Sequence, residues 1–285
     1  MRKIGIIGLG LIGGSMAIDL KRRGFADEVL GVECDQVNAE GALRLGLADR
    51  IVSPRECFNS ADILVLAVPV GTASEMLPEI LDLFAAEGDR GRIVIDVCST
   101  KRALAEKVAA HPMRRRYVAT HPMAGTEYSG PWAAMPNLFD GKACIIADPD
   151  RSDPEAVATV EALYDALHMR VTMMDSASHD IHTAYVSHIS HITSFALALT
   201  VLDKERDEKH IFDLASGGFS STVRLAKSSP DMWVPILAQN RDNILQVMDT
   251  YIGKMQAFRD AIASGDEPRI RTMIEEANHI RKILG

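Results

Sequence analysis

The stretch KIGIIGLGLIGGSMAIDLKRRG, residues 3–24, decides the fold. It opens on the β-rich run KIGIIG (3–8) and passes into the helical pattern LIGGSMAIDLKRRG. Between them Gly8, Gly10 and Gly13 stand in GxGxxG spacing. Glu33 lies twenty residues after Gly13, closing the next β-rich run, EVLGVE (28–33). Strand, glycine turn, helix and a downstream acid together make the pattern of a dinucleotide site. Gly8 allows the tight turn, Gly10 lets the backbone approach a pyrophosphate, and Gly13 lets helix pack on strand. The helix start at Leu11 and Ile12 then offers free N–H groups and a partial positive charge to phosphate. Glu33 suits both ribose hydroxyls and would repel a 2′-phosphate. Cys34, Asp35 and Gln36 supply no compensating arginine, so NAD is expected rather than NADP. A glycine turn without a ligand is the plainer alternative.

Outward from this unit, β-rich runs recur at 63–68, 92–97, 117–121 and 143–147, and RVTMMD (170–175) reads as a last strand. Helical patterns separate several of them, at 72–86, at 101–110 and from Pro154 onward. The runs at 63–68 and 92–97 are almost continuously apolar, as strands covered on both faces should be. The alternation predicts an α/β, doubly wound parallel sheet, a Rossmann-type domain over residues 1–175. Beyond Asp175 no strand is evident. Helical patterns at 178–202, 230–263 and 267–284 predict an all-α domain over residues 176–285. Within it Ile244, Met248, Tyr251, Met255, Phe258 and Ile262 recur at spacings of four and three. That stripe packs against another helix, either in the same chain or in a second copy; a homodimer is expected.

Of 285 residues 47% are hydrophobic, enough for a sizeable core, and the net charge is −8. That balance argues against nucleic acid or an anionic membrane as partner. Cys34, Cys57, Cys98 and Cys144 form no CxxC pair, which fits reduced thiols in a cytoplasmic protein. No apolar run is expected to reach the roughly 20 residues of a membrane span.

Ligands of open parallel sheets bind at the carboxyl ends of the strands. Three predicted strands end there on suggestive residues: Val68 and Pro69, Ser99, and His121 in YVATHPMAGTEYSG (117–130). The helical half adds His179, His182, His188 and His191. His188 and His191 share a helix face. No acid or cysteine accompanies them at metal-ligand spacing, so no metal is expected, and a substrate anion site or polar interface positions remain. SGGFSSTVRLAKSSPDMW joins a glycine pair, Gly217 and Gly218, to Arg224, Lys227 and Trp233. An arginine fork suits a substrate carboxylate; a surface amphipathic helix is the plainer alternative.

GLGLIGGS, STK, THPMAGTEYSG, VSHISH and GGFSSTVRLAKSSPDMW, in this order along nearly the whole chain, resemble the prephenate dehydrogenases, a family that includes arogenate dehydrogenases. The resemblance implies a dinucleotide-binding domain, a helical dimerisation domain, and oxidative decarboxylation of prephenate in tyrosine biosynthesis. It implies that His121 bonds the substrate hydroxyl and that Ser99 lies beside it near the nicotinamide. By the same resemblance Thr126, Glu127, His188, His191, Gly217, Arg224 and Trp233 line the substrate site. Ser220 stands where some relatives carry lysine, which leaves prephenate against arogenate open. The ending at Gly285 suggests that the regulatory ACT domain of some relatives is missing, and no chorismate mutase segment is read before the glycine loop.

The chemistry explains why a strand should end on histidine. Hydride transfer from an alcohol needs a proton acceptor within reach of the hydroxyl, and a neutral histidine serves near pH 7, with loss of activity as it titrates on acidification. Another reductase of the same plan, for a 3-hydroxyacid or an imine, would keep the glycine loop without both THPMAGTE and the set from His188 to Arg224. A non-catalytic NAD sensor would bind without turnover.

Overall fold

The computed structural model describes residues 2–207 and 210–284. Its eight strands are β1 (Lys3–Ile7), β2 (Glu28–Val32), β3 (Arg50–Ile51), β4 (Ile63–Leu66), β5 (Ile93–Asp96), β6 (Tyr117–Pro122), β7 (Ala143–Ala147) and β8 (Arg170–Met174). They form one sheet in the order β3-β2-β1-β4-β5-β6-β7-β8. The reversal of order on either side of β1 and β4 is the switch point of a doubly wound sheet. One pairing departs from the expected parallel pattern: β7 runs antiparallel to β6, with His121 opposite Ile145, while β7 and β8 are again parallel. The two-residue β3 escaped the sequence reading because nothing so short carries a period.

The helices of the sheet region are α1 (Leu11–Arg22), α2 (Gln36–Arg44), α3 (Pro54–Ser60), α4 (Val70–Ala86), α5 (Arg102–Lys107) and α6 (Pro154–Ala166). Strand alternation decides which face each residue serves. Ile63, Val65, Ile93 and Ile95 join Met16 and Leu20 of α1 and Val160 and Leu163 of α6 in one core. Leu64, Leu66 and Val94 join Phe58 of α3 and Leu77, Ile80 and Phe84 of α4 in the other. Both faces of β4 and β5 are therefore covered, which explains their unbroken apolar runs.

Past β8 come α7 (Ser176–Thr183), a π-turn at Ala184–His188, α8 (Ile189–Asp207), α9 (Gly217–Thr222) and α10 (Pro230–Gln239). Then follow α11 (Arg241–Ser264), α12 (Glu267–Ala277) and α13 (Arg281–Leu284). Two sequence expectations need correction. The pattern at 230–263 is two helices, because Asn240 leaves the helical conformation and its side chain bonds the Asp180 carbonyl and His188. The helical stretch Ser176–Arg206 has 31 residues with a window of mean hydropathy 1.3, so by length and composition one segment does pass the test for a membrane span. Its residues His179, Asp180, Thr183, His188 and Ser194 are buried in this protein.

By contacts the chain divides into one compact unit up to Asn240 and a second from Arg241 onward. In the second, α11 and α12 pack together, and Tyr251, Met255 and Ile262 of the α11 stripe stay exposed.

Candidate active site

Every sequence-selected site residue lies in the first unit. Gly8 adopts φ +93°, and a Cβ there would sit 2.3 Å from the Ala67 carbonyl oxygen. A Cβ on Gly13 would sit 2.0 Å from the Gly8 carbonyl oxygen. Gly10 is different: a Cβ would meet only the Gly130 amide nitrogen, at 3.9 Å, so the space beside it is open. No side chain caps α1 and no acid occupies its first turn. The amides of Leu11, Ile12 and Gly13 thus present the positive end of the helix toward that space. Glu33 closes it: its carboxylate accepts from the amides of Leu9 at 3.3 Å, Cys34 at 3.0 Å and Asp35 at 3.2 Å. An open, amide-lined cradle with a fixed carboxylate beside it suits a dinucleotide. Val68 packs beneath the turn at Gly8, and Pro69 starts α4.

His121 is buried, 8% exposed, near the end of β6. Asp96 of β5 pairs with Ala119 of β6, so Ser99 and His121 follow adjacent strands toward the same edge of the sheet. His121 Nδ1 lies 2.9 Å from His179 Nε2, and His179 Nδ1 lies 2.7 Å from Asp180 Oδ1. Burial pushes the His121 pKa well below the ordinary 6.5, and His179, Lys101 and His188 add to the shift by disfavouring another positive charge. Its neutrality at pH 7 is as expected; its titration near neutrality is not, because a desolvated imidazole resists protonation.

Beneath His121 lies a buried polar cluster that the sequence reading passed over. Lys101 is wholly buried and ion-paired with Asp96, whose other oxygen accepts from the Tyr117 hydroxyl at 2.6 Å. The available signal was an acid ending an apolar strand with a lysine five residues on, both inside DVCSTK. Asp180 and Asn240 were also missed. Each sits in a helical pattern where a polar residue reads as solvated.

The π-turn inserts one extra residue before α8 and carries His188 inward. His188 is fully buried; its Nδ1 pairs with the Asn240 amide at 3.1 Å, and burial lowers its pKa to about 4. His191 stacks on Trp233 with ring centroids 3.6 Å apart, and His188 meets the same indole edge-on at 5.8 Å. Since the Asn240 Nδ2 donates, His188 Nδ1 accepts and its Nε2 carries hydrogen. That Nε2–H and the indole N–H of Trp233 are buried donors without a partner among the described residues.

Arg224 follows α9, which starts at the exposed Gly217, and Ser194 of α8 bonds the Thr222 carbonyl at 3.0 Å. The Arg224 guanidinium donates to Glu127 at 3.0 Å, joining the loop after β6 to the helical residues. The Glu127 carboxyl lies below its usual range, held there first by its own backbone amide and then by Arg224. Thr126, one residue earlier, accepts from the Tyr128 amide at 3.3 Å. The structure therefore gathers Glu127 with Arg224, and His188 and His191 with Trp233. Ser99 and Thr126 lie on loops and Gly217 starts α9, and among the described residues none of the three hydrogen-bonds to these groups.

Residues 16–173 match the nucleotide-binding domain of prephenate dehydrogenase and residues 175–276 its dimerization domain. A prephenate dehydrogenase of Bacillus subtilis is 31% identical over 97% of this chain and 74% of its own length. A cyclohexadienyl dehydrogenase of Zymomonas mobilis is 27% identical over 99% and 96%. The fold superimposes on a prephenate dehydrogenase from A. aeolicus, solved with hydroxyphenyl propionate and NAD+, at a TM-score of 0.87 and 27% identity, covering 99% of this chain and 98% of that one. It matches a Synechocystis arogenate dehydrogenase at a TM-score of 0.77 and 26% identity over the full length of both. With both domains matched along nearly its whole length, the chain belongs to the prephenate dehydrogenase family of oxidoreductases.

Proposed function

We propose that the chain oxidises prephenate with NAD+, releasing CO2 and giving 4-hydroxyphenylpyruvate for tyrosine synthesis. The observation that carries this reading is the buried, neutral His121 at the sheet edge that also bears the glycine loop. NAD+ when bound takes the ring C–H as hydride. His121 Nε2 takes the hydroxyl proton. The new ring carbonyl is vinylogous to the C–C bond holding the ring carboxylate. The electron pair of that bond enters the ring, CO2 leaves, and the phenolate oxygen so formed takes the proton back from His121 Nε2 to give the phenol. Ser99 orients the hydroxyl; Val68, Pro69 and the Gly8–Gly13 loop hold the cofactor, with Glu33 on its ribose. Arg224 binds a substrate carboxylate, with Glu127 and Thr126 flanking it. The orphaned N–H groups of His188 and Trp233 suit substrate oxygens, and His191 and Gly217 complete the wall.

Arogenate is the second reading, favoured by the serine at position 220, which takes away one positive group that some relatives carry there as lysine. On this reading residues 1–175 and 176–285 divide the labour between cofactor and substrate, in a cytoplasmic homodimer that engages neither nucleic acid nor membrane. Steady-state kinetics with prephenate and arogenate, each with NAD+ and NADP+, test it. A higher kcat/KM for prephenate with NAD+ is expected; a higher one for arogenate transfers the assignment, and no turnover of either overturns it.

A further inference from the structure

We propose that His179 and Asp180 are positioning residues for His121, holding it in the tautomer whose Nε2 lone pair faces the reaction. This rests on His121 as the proton acceptor, and deepens that reading.

Asp180 Oδ1 accepts from the Lys101 amide at 2.8 Å, and Oδ2 from the Arg102 amide at 3.0 Å. An amide can only donate, so both oxygens serve as acceptors. His179 Nδ1, 2.7 Å from Oδ1, must then be the donor. An imidazole that donates from Nδ1 in its neutral form has its lone pair on Nε2. That atom faces His121 Nδ1 at 2.9 Å, so His121 donates there and keeps its own lone pair on Nε2. The opposite polarity would put a hydrogen on Asp180 Oδ1, where the Lys101 amide already points.

The relay is built to persist. His179 is 1% exposed and Asp180 2%, so solvent does not compete for their bonds. The Asn240 amide donates to the Asp180 carbonyl at 2.7 Å, and Thr183 donates to the His179 carbonyl at 3.1 Å. Asp180 thereby fastens α7 to the start of α5, directly after the β5 end that bears Ser99. A histidine meant only to fill a core position needs no carboxylate behind it. Free imidazole populates both tautomers, and an enzyme that needs Nε2 as base gains by removing the other.

Two measurements test this. In the full chain labelled with 15N-histidine, long-range 1H–15N correlations report each tautomer, and His121→Asn identifies the His121 signals by their loss. Hydrogen on His121 Nδ1 and a lone pair on Nε2 are expected; hydrogen on Nε2 overturns the proposal whatever the activity. Kinetics supply the second measurement. His179→Leu, which offers no acceptor, should lower kcat at least about tenfold with substrate KM and NAD+ affinity within twofold. His179→Gln, whose Oε1 can accept from Nδ1–H, should recover most of that loss. Equal losses in both variants, or an unchanged kcat in His179→Leu, overturn it. If His179→Leu does not fold, the tautomer decides alone. Retained activity in His121→Asn would instead refute His121 as the base and leave the tautomer result standing.

Discussion

At the scale of single residues, burial sets what His121 can do. A desolvated imidazole stays neutral at pH 7 and can take a proton, so the acid limb of kcat should lie below the ordinary histidine value of 6.5. We expect His121→Asn to fold and to bind NAD+ normally while kcat falls by about 10²–10⁴, the usual worth of a general base. The variant should also lack the acid limb; a pH–rate profile checks both. A kcat within threefold of the original would point to another base. Glu33 is expected to decide the cofactor. Its carboxylate is fixed by three backbone amides beside the glycine loop. We expect kcat/KM for NAD+ at least tenfold above that for NADP+, and Glu33→Ala to narrow the gap. Equal use of both cofactors by the unmodified chain would remove Glu33 from that role.

At the scale of elements, α1 and the turn before it act as one part. A methyl on Gly13 would press to 2.0 Å from the Gly8 carbonyl oxygen, which is backbone and cannot swing aside. Gly13→Ala should therefore lower the melting temperature and weaken NAD+ binding together, by thermal denaturation and titration; native values for both would mean the turn has slack. This part was legible because spacing alone encodes it: three glycines, a strand before and an acid after. The strand carrying His121 was legible too, although it runs one residue further, to Pro122. The break at Asn240 was not, since the residues of 230–263 continue a helical period across it and only the distant partners His188 and the Asp180 carbonyl take Asn240 out of the helix. The reversal of β7 was hidden for a related reason. ACIIA carries the same apolar pattern in either direction, and direction is fixed by where the preceding loop returns. His179 was noticed only as one of four histidines, because what distinguishes it lies 58 residues away in sequence.

At the scale of the whole molecule, buried histidines tie stability to pH. His188 has a folded pKa of about 4, and those of His121 and His191 are also lowered by burial. The unfolded chain takes up these protons from about pH 6.5 downward, whereas the folded one resists. Stability should be full above that value and decline as pH falls toward 4. A melting temperature flat across this window would contradict it. The match to a dimerization domain and the exposed Tyr251, Met255 and Ile262 lead us to expect a homodimer. Light scattering at micromolar concentration should give twice the mass of one chain, and Met255→Asp should shift it toward one. The antiparallel pairing of β6 with β7 has a last consequence, for the freedom of this protein to vary. A parallel crossover would have carried the chain to the far edge of the sheet; the reversal brings it back where it left, with Pro122 beside Cys144. Residues 123–142 are thus a cassette clamped at both ends by one ladder. Only the part around Thr126 and Glu127 is free to drift or be redesigned, reshaping the proposed pocket wall while the register beneath His121 is left as it was, because further on Leu138 and Phe139 are buried in the core and the Met135 and Asn137 amides bond Ser15 and Asp19 of α1.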